Sequence, residues 1–159
     1  MRFISLSAIC VALLSACAGA PTMNPLPADR GHEVSAALAG GVGELQIDAG
    51  SFDMSAEAKQ ELLGAFHAEM AKIGVPVVPS GAPVVLHVTE FKTRPVAARI
   101  LFGALSGNDH IKGTVAVGGA QFEVADTAVT VMSGLGVVSR NVGKQTADGI
   151  GHLAGAAIE

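Results

Sequence analysis

Tryptophan and tyrosine are absent from this chain of 159 residues, and phenylalanine occurs six times. Single-stranded nucleic acids are commonly gripped on aromatic faces, and sugar rings are often held in the same way, so both ligand classes lose their usual platform. Charge is thin as well: 15% of the residues are Asp, Glu, Lys or Arg, and the formal net charge is −4. No basic cluster interrupts that acidic balance, which argues against a partner with a phosphate backbone. The expectation is that no nucleic acid is bound.

Cysteine is scarce and confined to the start of the chain, at Cys10 and Cys17. Everything after Cys17 is free of thiols, which excludes an internal disulfide, a thiolate metal site and a cysteine nucleophile from the body of the protein. The five histidines, His32, His67, His87, His110 and His152, are scattered without helical pairing. No metal and no cofactor is expected from that pattern. The glycine-rich stretches lack phosphate-loop spacing: Gly134-Leu135-Gly136 has no third glycine, and Gly143-Lys144 is followed by Gln145 where Ser or Thr is required. A Gly-x-Ser-x-Gly elbow is missing too, because Ser106 has Ala104 and Asn108 at the glycine places. A hydrolase remains as a reading only if a triad of Ser106 or Ser133 with a histidine and a carboxylate is assembled by folding.

What the chain does have begins at the N-terminus. Arg2 is followed by a mostly apolar run from Phe3 to Leu14, which is too short to span a bilayer and is closed by the small residues Ser15 and Ala16. Leu14-Ser15-Ala16-Cys17 resembles a bacterial lipobox. The resemblance implies cleavage before Cys17, acylation of that cysteine with lipid such as palmitate, and attachment to a membrane on its periplasmic side. Ala18, in place of aspartate, implies sorting to the outer membrane. Removal of residues 1–16 takes Arg2 with it and leaves nine basic against fourteen acidic side chains.

Downstream, Pro21, Pro25 and Pro27 mark an extended tether. His32 to Gly43 is weakly patterned and ends in Gly40, Gly41 and Gly43, so residues 17–43 are taken as lipidated cysteine plus flexible linker, and 44–159 as the folded periplasmic domain. Glu44 to Ala49 alternates as a strand. Ser55 serves as a helix N-cap, Ala58, Leu62, Phe66, Met70 and Ile73 recur at helical spacing, and Gly74 and Pro76 stop the helix. Val84 to Phe91 predicts a central strand, with Val84, Leu86 and Val88 on one face and Val85, His87, Thr89 and Phe91 on the other. Ile111 to Val117 and Ala120 to Ala125 flank Gly118-Gly119 as a hairpin, and Thr127 to Met132 either continues that strand or adds another. A last helix is expected over Arg140 to Ile158, with Gly151 and Gly155 set for close docking on the sheet. These elements predict an α+β two-layer sandwich: a mixed or antiparallel sheet with two helices on one face.

The segment Arg94 to Gly107 carries the strongest candidate for an interaction surface, through Arg94, Arg99, Ile100, Leu101, Phe102, Gly103, Leu105 and Gly107. The alternative is a connection folded over the sheet edge and buried by the domain. Asp109-His110 beside Asp126 reads as a solvated turn. From Arg99-Ile-Leu-Phe-Gly103-Ala-Leu-Ser-Gly107 through the following strand and C-terminal helix, the chain is similar to a family of bacterial lipoprotein domains of unknown function, with Gly118-Gly119 where that pattern has aspartate and glycine. The resemblance spans roughly residues 44–158 and implies fold and address, not an activity. Taken together, these residues point to a non-catalytic, lipid-anchored accessory or binding module of the envelope with an envelope protein as partner. The rival reading is a subunit of an oligomeric transport or secretion assembly, with which homo-oligomerisation is compatible.

Overall fold

The computed structural model describes residues 20–23, 28–95, 107–128 and 134–156. In chain order the elements are β1 (Thr22–Met23), α1 (Ala28–Leu38), β2 (Val42–Asp48), α2 (Ala56–Ile73), β3 (Ala82–Lys92), β4 (Asp109–Val117), β5 (Ala120–Ala128) and α3 (Leu135–Ala154). The five strands form one sheet in the order β1-β5-β4-β3-β2. β2 and β3 run parallel across the α2 crossover, and the remaining pairs are antiparallel. This is the α+β sandwich with a mixed sheet that the sequence predicts, with three helices among the described residues where two were expected.

Local chemistry fixes the element ends. The Ser55 Oγ accepts the Ala58 N–H at 3.2 Å and caps α2, while Gly74 closes it in the left-handed region at φ 74°. Ala58, Leu62, Phe66 and Met70, spaced by four, are the buried stripe of that helix. Gly118 and Gly119 both take positive φ, 55° and 83°, as a two-residue hairpin of the twist-matched type requires. β5 runs on through Ala128. Val129 to Met132 lie outside the described residues.

Four expectations are corrected. The stretch read as tether and linker contains β1, which pairs Thr22 with Glu123 and Met23 with Phe122, and α1, whose Val34 and Leu38 are buried one turn apart in the core. β3 lies in the sheet interior, but only Val84, Leu86 and Val88 are buried; Val85 is half-buried, and His87 and Thr89 are exposed. A bulge at Thr89 sets Glu90 opposite Lys112 and Phe91 opposite Ile111, so Phe91 turns to the helix side and packs against Phe52 in a tilted arrangement at a centroid distance of 6.3 Å. α3 begins at Leu135 and ends at Ala154, with Gly155 as its left-handed cap at φ 75°.

Close docking of α3 is achieved at Gly143 and Gly149, whereas nothing lies within 4 Å of a Cβ placed on Gly155. A Cβ on Gly143 would overlap the Leu62 carbonyl of α2, and one on Gly149 would overlap the Phe122 ring of β5. All three helices contribute to a single core that backs one sheet face, with Leu62, Phe66, Leu86, Ile111, Phe122 and Ile150 among its fully buried side chains. The other face carries exposed or half-buried side chains of β3, β4 and β5.

Candidate functional site

One end of the sheet gathers the features that bear on function. There β3 ends at Lys92, β4 starts at Asp109, β5 ends at Ala128, and α2 and α3 begin. Arg94, two residues past β3, is buried with its side chain 1% exposed, and Asp109 is fully buried. The Arg94 N–H donates to Asp109 Oδ1 at 2.7 Å, and its Nη2 and Nε reach Oδ2 at 3.0 and 3.3 Å. Two further donors satisfy carbonyls: Nη1 to Gly107 at 3.0 Å and Nη2 to Ala128 at 3.1 Å. A buried ion pair is stable only with such excellent geometry and added hydrogen bonds, and this one has both.

Beside the clamp lies a cleft of about 460 Å³ lined by Ser55, Glu57, Thr93, Arg94, Pro95 and Gly134, among others. It forms where the N-termini of α2 and α3 meet the end of β3. Ser55 caps the first helix, whereas Gly134 offers no side chain to the second. A shallower hollow of about 370 Å³ opens on the same sheet end near Glu90, Lys92, Asn108, His110 and Thr127. Its imidazole meets Thr127 Oγ1 through Nδ1 at 2.7 Å and approaches Glu90 Oε2 through Nε2 at 3.6 Å. The second distance is beyond a hydrogen bond, and Glu90 is 61% exposed, so this trio lacks the oriented carboxylate that a nucleophile-activating histidine needs.

Of the residues singled out from sequence, Arg94 and Gly107 are brought together by the clamp. Arg94 is thereby a buried anchor and not an exposed contact. Arg99, Ile100, Leu101, Phe102, Gly103 and Leu105 lie outside the described residues, as do Cys17, Ser106 and Ser133. Asp109 is no solvated turn residue: it opens β4 opposite Ala128, while Asp126 accepts from Asn141 Nδ2 of α3 at 2.9 Å. Asp109 is the group that sequence reasoning missed, although the signal is there. It shares the parity of Ile111, Val115 and Val117, which places a carboxylate on the core face and demands a cation.

Among the described residues, no group of three or more His, Cys, Asp or Glu side chains converges to hold a metal. Nor is any described helix long and apolar enough to cross a membrane.

No protein-family profile matches the chain, and no curated protein matches it either. Among solved structures, similarity is found to a PelC dodecamer from Paraburkholderia phytofirmans, at 13% identity and a TM-score of 0.49, covering 81% of this chain and 97% of that chain. A leucine-to-methionine variant of that PelC dodecamer, in a different space group, gives 15% identity and a TM-score of 0.47 over 72% of this chain and 86% of that chain.

Proposed function

We propose that this chain is a lipid-anchored, non-catalytic accessory module of the bacterial cell envelope, held on the periplasmic face of the outer membrane. It acts by contact with another envelope protein. The observation that carries the reading is Leu14-Ser15-Ala16-Cys17 at the end of a short apolar run. One acyl chain anchors only marginally, and stable attachment takes more than one, as the lipobox resemblance implies for Cys17. The segment between Pro95 and Gly107, with Ile100, Leu101, Phe102 and Leu105, is the contact element of this reading. The Arg94 clamp supports it, because both roots of the segment are tied to buried strand ends.

The test is the mass of the N-terminal peptide from membrane fractions of cells expressing the native chain or Cys17→Ser. A diacylated or triacylated peptide beginning at Cys17, and loss of membrane association in the variant, are expected. An unmodified Cys17 with a freely diffusing product would falsify the anchor. For the contact element, a photo-crosslinking amino acid at Phe102 should capture one discrete envelope protein in intact cells. Recovery of none removes that surface from the reading.

A further inference from the structure

If Cys17 is the anchor, β1 changes what the anchor does. The linker seen in the sequence would leave 26 residue steps from Cys17 to Gly43, enough for a reach of about 90 Å and no fixed attitude to the membrane. The fold shortens that tether. Thr22 and Met23 are paired to Glu123 and Phe122, and Met23 packs against the core, so only five residue steps separate Cys17 from the sheet. Five steps span at most about 18 Å. The whole sheet, five strands at about 4.8 Å spacing, is about 19 Å across, so such a tether falls short of the bilayer when β2 faces it and β1 lies on the far side.

Direction follows from the pairing. β1 is antiparallel to β5, so the chain preceding Thr22 heads along β5 from Glu123 toward Ala125 and Ala128. That is the end of the sheet where Arg94, Asp109, Gly134 and the cleft lie.

We infer that the domain sits on a phospholipid headgroup surface with the β1–β5 edge and the Ala128–Asp109 sheet end facing the bilayer, and with β2 and the strand end at Ser80 and Gly119 facing away. This rests on the lipid-anchored reading. It assigns a membrane-facing side to the domain, which the anchor alone does not.

The experiment uses the full lipidated chain, whose mature form has no thiol apart from the acylated Cys17, so introduced cysteines label cleanly. Bimane is attached at Thr127→Cys or Ala125→Cys on the proximal side, and at Gln46→Cys or Ser80→Cys on the distal side. Each protein is reconstituted into vesicles of phosphatidylethanolamine and phosphatidylglycerol containing a lipid with a nitroxide on its headgroup, a short-range quencher. Several-fold stronger quenching is expected at both proximal sites than at both distal ones, and a Gly/Ser spacer inserted after Gly19 should abolish the difference. Equal quenching at the four sites, or the reverse order, with Cys17 acylated by mass, overturns the orientation while leaving the anchor standing. An unmodified Cys17 overturns both.

Discussion

The side-chain amide of Gln145 lies flat against the backbone of Ala125, accepting its N–H at Oε1 at 3.1 Å and donating Nε2–H to its carbonyl at 3.0 Å. Gln145 is 1% exposed and stands on α3, so a helix side chain takes the place of a neighbouring strand just beyond the two residues that β1 covers. An outer strand left unpaired is a template for association, and this contact closes part of that edge. Replacing Gln145 with Leu keeps the volume and strips both partners from Ala125. A loss of about 1–3 kcal/mol in the denaturant midpoint analysis is expected, with increased self-association of the variant. A Leu variant as stable as the parent would show that the amide contributes nothing.

The Arg94–Asp109 pair gives a sharper asymmetry. Removing one partner leaves an uncompensated buried charge, so Arg94→Met alone and Asp109→Leu alone should each cost about 3–5 kcal/mol by urea unfolding. The double variant should recover a substantial part of the summed loss, because two apolar side chains of similar volume avoid the desolvation of both charges. Simple additivity in the cycle would mean that the pair is not coupled.

Two helix glycines should respond with opposite signs to the same substitution. At Gly143 a methyl group would overlap the Leu62 carbonyl, whereas at Gly64 of α2 nothing lies within 4 Å of the added carbon. Alanine improves helix propensity by about 1 kcal/mol at either place. Gly64→Ala should therefore raise Tm, and Gly143→Ala should lower it by forcing α2 and α3 apart. Thermal unfolding of the two variants decides the matter.

Two carboxylates set opposed pH dependences. Burial, and then the charge of Glu69, push the Asp148 carboxyl above its ordinary value of 3.8, against the pull of Lys144 and Lys72. The folded chain then holds a proton where the unfolded chain has lost it, so this group's contribution falls as pH rises from below 3.8 through the raised value. Asp148→Asn should raise Tm at neutral pH, with no gain in strong acid. Asp48 is the reverse: the N–H of Gly50, and then His87, hold its carboxyl below 3.8, so it stabilises above that value and the effect is lost as pH falls through the folded value. Asp48→Asn should lower Tm at neutral pH and leave it unchanged in acid. Melting curves across that range test both signs.

Elements with a strong period and a chemical punctuation mark were legible in the sequence. Ser55, Gly74 and the Gly118-Gly119 turn each sit where the physics of caps and turns places them. α1 was not, because its described side chains supply only two buried apolar positions, Val34 and Leu38, and its helical state depends on packing against α3. β1 was invisible for a similar reason: two residues flanked by prolines carry no period, and only the partner strand defines them. The bulge at Thr89 could not be read from β3 alone, since register belongs to two strands; Gly113 across from it was the available hint, because a side chain there would meet the His87 carbonyl at 2.7 Å. At the candidate site, Asp109 was recoverable by parity. Its match with Arg94 was not, because the arginine lies beyond the last residue of β3, where alternation no longer reports a facing direction.

One guanidinium group touches chain positions 13, 15 and 34 residues away from itself. Such a junction makes the roots of two connections share a common fate: they open as a unit or stay shut as a unit, and neither can loosen by degrees. Amide exchange at Arg94 and Asp109 should accordingly proceed at one shared rate.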